Sequence, residues 1–135
     1  MKLSMLKSKI HRATVTEADL NYEGSISICP DLIQASGFLI HEKVDIYNCN
    51  NGSRFSTYVI QGEKQQICLN GAAARHVQKG DIVIIVAYCG LESSEAKNHS
   101  PTVVFVDDKN KQKVIRLESH KSNKSKAILN TKKKR

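Results

Sequence analysis

Residues 81–88 read "DIVIIVAY", and after the leading acid almost every residue is apolar. Six of them are Val, Ile or Ala, too few for a buried helix of ordinary length. β-Branched residues in so short a run fit a strand covered on both faces. That requires other layers around it, and the rest of the chain supplies short strands to make them. "SISIC" and "QICL" are brief apolar runs. "EKVDIYN" and "RFSTYVI" flank "CNNGS", where Asn51-Gly52 is a strong hairpin signal. "TVVFVD" and "QKVIRL" complete the set.

Helical signals are short. Pro30 opens "PDLIQASG", with Gly37 as its stop. "NGAAARHVQKG" is a small-residue segment that exits at Gly80. "KIHRATVTEA" alternates roughly, with Ile10, Arg12, Thr14 and Thr16 on one face and Lys9, His11, Ala13 and Val15 on the other. Apolar residues are thus divided between its faces. Short strands with single-turn helices between them imply a compact, mainly β barrel.

The chain has 135 residues, enough for a single domain. Its net charge of +8 suggests nucleic acid until the charge is located. From Ser119 onward there are 7 Lys and Arg and no acid, which leaves 14 basic and 13 acidic residues before it. The expected organisation is a barrel over 1–118 and a basic, disordered tail over 119–135. Cys29, Cys49, Cys68 and Cys89 contain no Cys-x-x-Cys, so no metal site is expected, and each is read as a reduced, packed small hydrophobe. No apolar leader opens the chain, and "IVIIVAYCGL" is too short to span a bilayer. A soluble cytoplasmic protein with no membrane partner is expected.

Four blocks carry chemistry. "LKSKIHRATVTEADLNYEGS" leads into Gly24-Ser25. "NNGSRFSTY" places Arg54, Thr57 and Tyr58 on one strand. "LNGAAAR" is a small-residue loop, and "GDIVII" follows it. Their order and spacing resemble bacterial aspartate 1-decarboxylases from Met1 to about Val106. Three departures are visible: "GEKQQICLNG" is about two residues shorter than in many members, Arg75 stands where some have His, and the basic tail is longer than usual.

The resemblance implies a double-psi β-barrel assembled as a homotetramer with sites at subunit interfaces. It implies an inactive chain that cuts itself between Gly24 and Ser25. Ser25 then becomes a covalent pyruvoyl group, which replaces pyridoxal phosphate and forms a Schiff base with substrate. The residue types suit this. Ser25 supplies an oxygen nucleophile on Cβ. Gly24, lacking Cβ, can hold a strained backbone and leave its carbonyl open.

The implied reaction is decarboxylation of L-aspartate to β-alanine and carbon dioxide, toward pantothenate and coenzyme A. Tyr58 would return the proton, since a phenol is a neutral O–H donor near pH 7. Thr57 would assist the cut and line the substrate pocket, although on a regular strand it points away from Tyr58. Arg54 would grip a substrate carboxylate, with Lys9 as a second cation. Gly71, Ala72 and Ala73 would cradle substrate through backbone N–H groups. Asn70, Tyr22 and His11 are supporting residues. An RNA-binding β-barrel is the alternative, and it would need basic and aromatic residues on the barrel itself. A serine hydrolase would need a base beside the serine, and no Gly-x-Ser-x-Gly is present.

Overall fold

The computed structural model describes residues 1–117 and the short strand 126–128. The chain is mainly β. Strand β1 is Lys2–Thr14, β2 Glu17–Asp19, β3 Ser25–Ile28, β4 Lys43–Asn48 and β5 Arg54–Gln61. Then come β6 Ile67–Asn70, β7 Ile82–Glu92, β8 Thr102–Val106, β9 Gln112–Leu117 and β10 Lys126–Ile128. Helices are short: α1 is Pro30–Ser36, a 3-10 helix spans Gly71–His76, and α2 is Ser93–Ala96. The remaining residues of the expected tail lie outside those described.

The strands hydrogen-bond in the order β10-β9-β8-β1-β7-β4-β5-β3-β6-β2. Because β2 directly continues β1, one stretch of chain pairs with β7 at one end and β6 at the other. That joins the two sides of the sheet into a closed barrel. Parallel pairs (β1 with β8, β3 with β5, β2 with β6) are mixed with antiparallel ones, consistent with a double-psi β-barrel. The core is aliphatic: Ile10, Ile26, Ile46, Ile67, Leu69 and Ile85 are fully buried.

Three local details differ from the sequence expectation. Strand β1 does not alternate regularly through "KIHRATV". Arg12 has φ 63° and the pairing with β7 shifts register between Ile10 and Ala13. This bulge inserts one residue, so Ile10, Ala13 and Val15 all face the core. The β4–β5 hairpin forms where Asn51-Gly52 is expected to turn: Gly52 takes the left-handed region (φ 77°), and the loop closes through Asn48 N–H to Ser53 O and Gly52 N–H to Asn48 O, both 2.9 Å. Finally, Cys49 is exposed in that loop and Cys89 is half-buried, so only Cys29 and Cys68 pack as interior residues. Strand β7 is covered on both faces only in part: Val83, Ile85, Val86 and Ala87 are buried while Tyr88 is 47% exposed.

Helix α1 begins at Pro30 and ends at Gly37, which takes φ 78° and gives its N–H to Ile33 O. Asn110 is a buried polar residue that the sequence did not single out. Its side chain accepts from Thr14 N–H and donates to the Thr14 and Gln65 carbonyls, pinning the end of β1.

Candidate active site

Strand β3 starts at Ser25 and lies between β5 and β6. Its antiparallel register with β6 sets Ser25 opposite Asn70 and Ser27 opposite Cys68. Ile26 and Ile28 therefore face the core with Leu69 and Ile67, and the four polar residues share the other face. All four are buried.

The polar contacts interlock. Asn70 Nδ2 donates to Ser25 Oγ at 2.9 Å and to Ser27 Oγ at 3.0 Å. Cys68 Sγ donates to Asn70 Oδ1 at 3.1 Å. Ser25 Oγ donates to Glu23 O at 3.2 Å. Burial, reinforced by the charges of Glu17 and Asp19, pushes the Cys68 thiol up to about 11. It stays protonated and can donate.

Gly71 follows Asn70 and holds the bend before the cut. Its φ is 64°, and a Cβ there would fall 2.7 Å from Gly24 N and Cα and 2.9 Å from Tyr22 O. Only glycine fits this contact. Gly24 itself is less constrained. It is outside the left-handed region, and a Cβ would meet only Asn70 O at 3.9 Å. The steric demand for glycine therefore falls on Gly71. Gly71→Ala is expected to cost on the order of 1–3 kcal/mol from backbone strain alone. It should also push Gly24 out of place. Urea unfolding and the rate of chain cutting, followed on a denaturing gel, test both effects.

The 3-10 helix begins at Gly71, with Ala72 exposed and Ala73 buried beside the same bend. Tyr22 contributes its backbone carbonyl, while its side chain is 55% exposed. Parallel pairing sets Ile26 level with Val59. One residue back along both strands, Ser25 lies beside Tyr58. Tyr58 is 37% exposed and meets the His41 ring edge-on at 6.1 Å. Thr57 lies on the opposite side of β5, level with buried Val44, and β5 shows no bulge against β4 that would bring the two together.

Arg54, Lys9 and His11 lie elsewhere. Arg54 is four residues from Tyr58 on β5, on the order of 13 Å along the strand. Its guanidinium sits 3.9 Å above the Tyr47 ring. The Tyr47 and Tyr88 hydroxyls are 2.8 Å apart, and that bond pushes Tyr88 up to about 12. Lys9 on β1 pairs with Val86 of β7, and Val86 pairs with Asp45 of β4, so two strands separate Lys9 from β5 along that side of the barrel. His11 packs edge-on against Phe105 at 5.4 Å. Among the described residues, no three His, Cys, Asp or Glu side chains converge as a metal site, and no helix is long and apolar enough to cross a membrane.

The family model for aspartate decarboxylase matches residues 1–113. The chain belongs to the aspartate decarboxylase family. Within that family it is 72% identical over 124 residues to the aspartate 1-decarboxylase of Bdellovibrio bacteriovorus, covering 92% of this chain and all of that one. It is 63% identical over 113 residues to the aspartate 1-decarboxylase of Caldicellulosiruptor saccharolyticus, covering 82% of this chain and 88% of the relative. A Clostridium botulinum aspartate 1-decarboxylase is 58% identical over 123 residues, covering 89% and 97%.

Sequence reasoning about the aspartate decarboxylase motifs missed Ser27, Cys68, Tyr47 and Tyr88. A signal existed for the first two. "SIS" and "CLN" each carry polar residues two apart, on the same face of a strand.

Proposed function

We propose that this chain cuts itself between Gly24 and Ser25 and then decarboxylates L-aspartate to β-alanine and carbon dioxide. The observation that carries the reading is Ser25 itself. It is a buried serine whose Oγ takes an N–H from Asn70, directly after a glycine against which Gly71 packs without room for a Cβ. A small covalent group made from residue 25 fits such a site.

Maturation uses atoms the chain already holds. Ser25 Oγ attacks the Gly24 carbonyl carbon, and its proton passes to the amide nitrogen. The Gly24–Ser25 C–N bond breaks as the ester C–O bond forms. Loss of the Ser25 α-proton expels the Gly24 carboxylate and leaves dehydroalanine. Water then replaces nitrogen, ammonia departs, and residue 25 ends as pyruvoyl. The Asn70 N–H supports the serine oxygen as charge gathers on it. Thr57 is assigned to assist this cut and to line the pocket.

A pyruvoyl group at residue 25 would supply a ketone for the substrate amine and an electron sink for decarboxylation. Tyr58, beside residue 25 in the β3–β5 register, holds the proton that the product carbon needs. Ala72, Ala73 and Gly71 border the site through their backbone, and Asn70 orients residue 25.

Arg54 and Lys9 are assigned to the substrate carboxylate. Arg54 rests over the Tyr47 ring, and Lys9 lies on β1, which is not one of the strands that flank Ser25. The reading places them against residue 25 of a neighbouring subunit in a homotetramer. Arg54→Ala is expected to cut normally but raise KM for aspartate at least tenfold, in line with loss of a charge-assisted pair. Initial rates across an aspartate series check this.

The activity belongs in the cytoplasm, where β-alanine feeds pantothenate and coenzyme A. The direct test is to incubate purified protein with L-aspartate and measure β-alanine and carbon dioxide together. Equal release of both is expected. A protein that releases neither, yet binds RNA through the barrel, would replace this reading with the RNA-binding one.

A further inference from the structure

The two serines around Asn70 do not decide which way its amide points. An asparagine amide has nearly the same shape when its oxygen and nitrogen are exchanged, so its partners choose between the two orientations. Ser25 and Ser27 hydroxyls can each donate or accept, and both would tolerate either end. Cys68 is different. Its S–H is a donor, and its sulfur is a weak acceptor. At 3.1 Å from Asn70 Oδ1, the thiol holds the oxygen away from Ser25. The second N–H, which would otherwise be buried without a partner, goes to Ser27 Oγ at 3.0 Å.

We propose that Cys68 and Ser27 are positioning residues for maturation, which fix the Asn70 amide with its NH2 toward Ser25. The inference rests on the reading that Gly24-Ser25 is the cut. With NH2 facing it, the Ser25 oxygen receives a hydrogen bond that strengthens as the oxygen gives up its proton. With the amide reversed, Oδ1 would face the serine oxygen and repel the negative charge that gathers there as the proton leaves. The buried thiol, kept protonated by its surroundings, is suited to hold the first orientation at any ordinary working pH.

The test follows maturation of freshly made uncut chain by intact mass, counting uncut chain, serine-ended fragment and pyruvoyl-ended fragment over time. Cys68→Ala removes the donor, and Cys68→Ser keeps one of similar size. Cys68→Ala is expected to form the pyruvoyl-ended fragment about tenfold more slowly, the order of effect of one net hydrogen bond. Cys68→Ser should stay within about twofold of the parent, and Ser27→Ala should slow about threefold, since it removes only the secondary partner. Equal rates for the two Cys68 variants, whether fast or slow, would overturn the inference, because a role in packing alone does not distinguish them. Should Cys68→Ala fail to fold, Ser27→Ala maturing at the parent rate would overturn it independently. A parent chain that never cuts would instead remove the reading beneath it.

Discussion

Ser25→Ala is expected to give a single uncut chain with no measurable decarboxylation of aspartate. Alanine keeps the Cβ and fits the buried start of β3, so the barrel should form. What it removes is the oxygen that attacks Gly24 and the acceptor for the Asn70 N–H. The stability cost should be about 1 kcal/mol, the size of one buried hydrogen bond lost. The activity cost should be total, because no other nucleophile stands at that bond and no pyruvoyl can be made from alanine. A denaturing gel and a carbon dioxide assay on the same preparation check both halves. An alanine variant that stays uncut yet turns over aspartate would separate the reaction from the cut and end the proposed mechanism.

Tyr58→Phe is expected to separate making the group from using it. The phenylalanine ring keeps the contact with His41 and the place on β5, and only the O–H is lost. The variant should assemble and cut between Gly24 and Ser25. Its turnover should then fall by about 10²–10⁴, the usual contribution of a positioned general acid. Mass analysis of the fragments together with initial rates decides the matter. Turnover at the parent rate would make Tyr58 a packing residue, with the proton coming from elsewhere. Failure to cut would move the phenol into maturation and undo the division of labour between Thr57 and Tyr58.

The strands and turns were legible because their signals are local. Alternation, Pro30 at a helix start and Gly37 at its end depend on neighbours a few residues away. The bulge at Arg12 was not legible. It exists because β1 must bury Ile10 and Ala13 against the same strand β7, which is a tertiary demand. The first residues of β1 were missed for a related reason: "KLSMLKS" alternates weakly, and its strand form comes from pairing with the far end of β7.

The site divides in the same way. Gly24, Ser25, Asn70, Gly71 and Tyr58 stood out through the family resemblance; Asn70 bonds Ser25, Gly71 packs on Gly24, and Tyr58 lies on the strand that pairs with β3. Cys68 was read as a small hydrophobe, which its burial satisfies, but the role of its S–H appears only once β6 is registered against β3. Glycine was expected to matter at 24 because the cut is there. The tight contact is at Gly71, which touches Gly24 from the next strand's end. Arg54 and Lys9 were assigned to the substrate through the resemblance alone, and in the structure Arg54 stacks over Tyr47 while Lys9 lies on β1.

The central claim is that residue 25 stops being a serine. Intact mass under denaturing conditions, on the protein as purified, measures this directly. Two species are expected: fragment 1–24, and fragment 25–135 lighter by one ammonia than its serine-ended sequence. A single species with the mass of the full 135 residues, from a preparation that still makes β-alanine, would contradict the account.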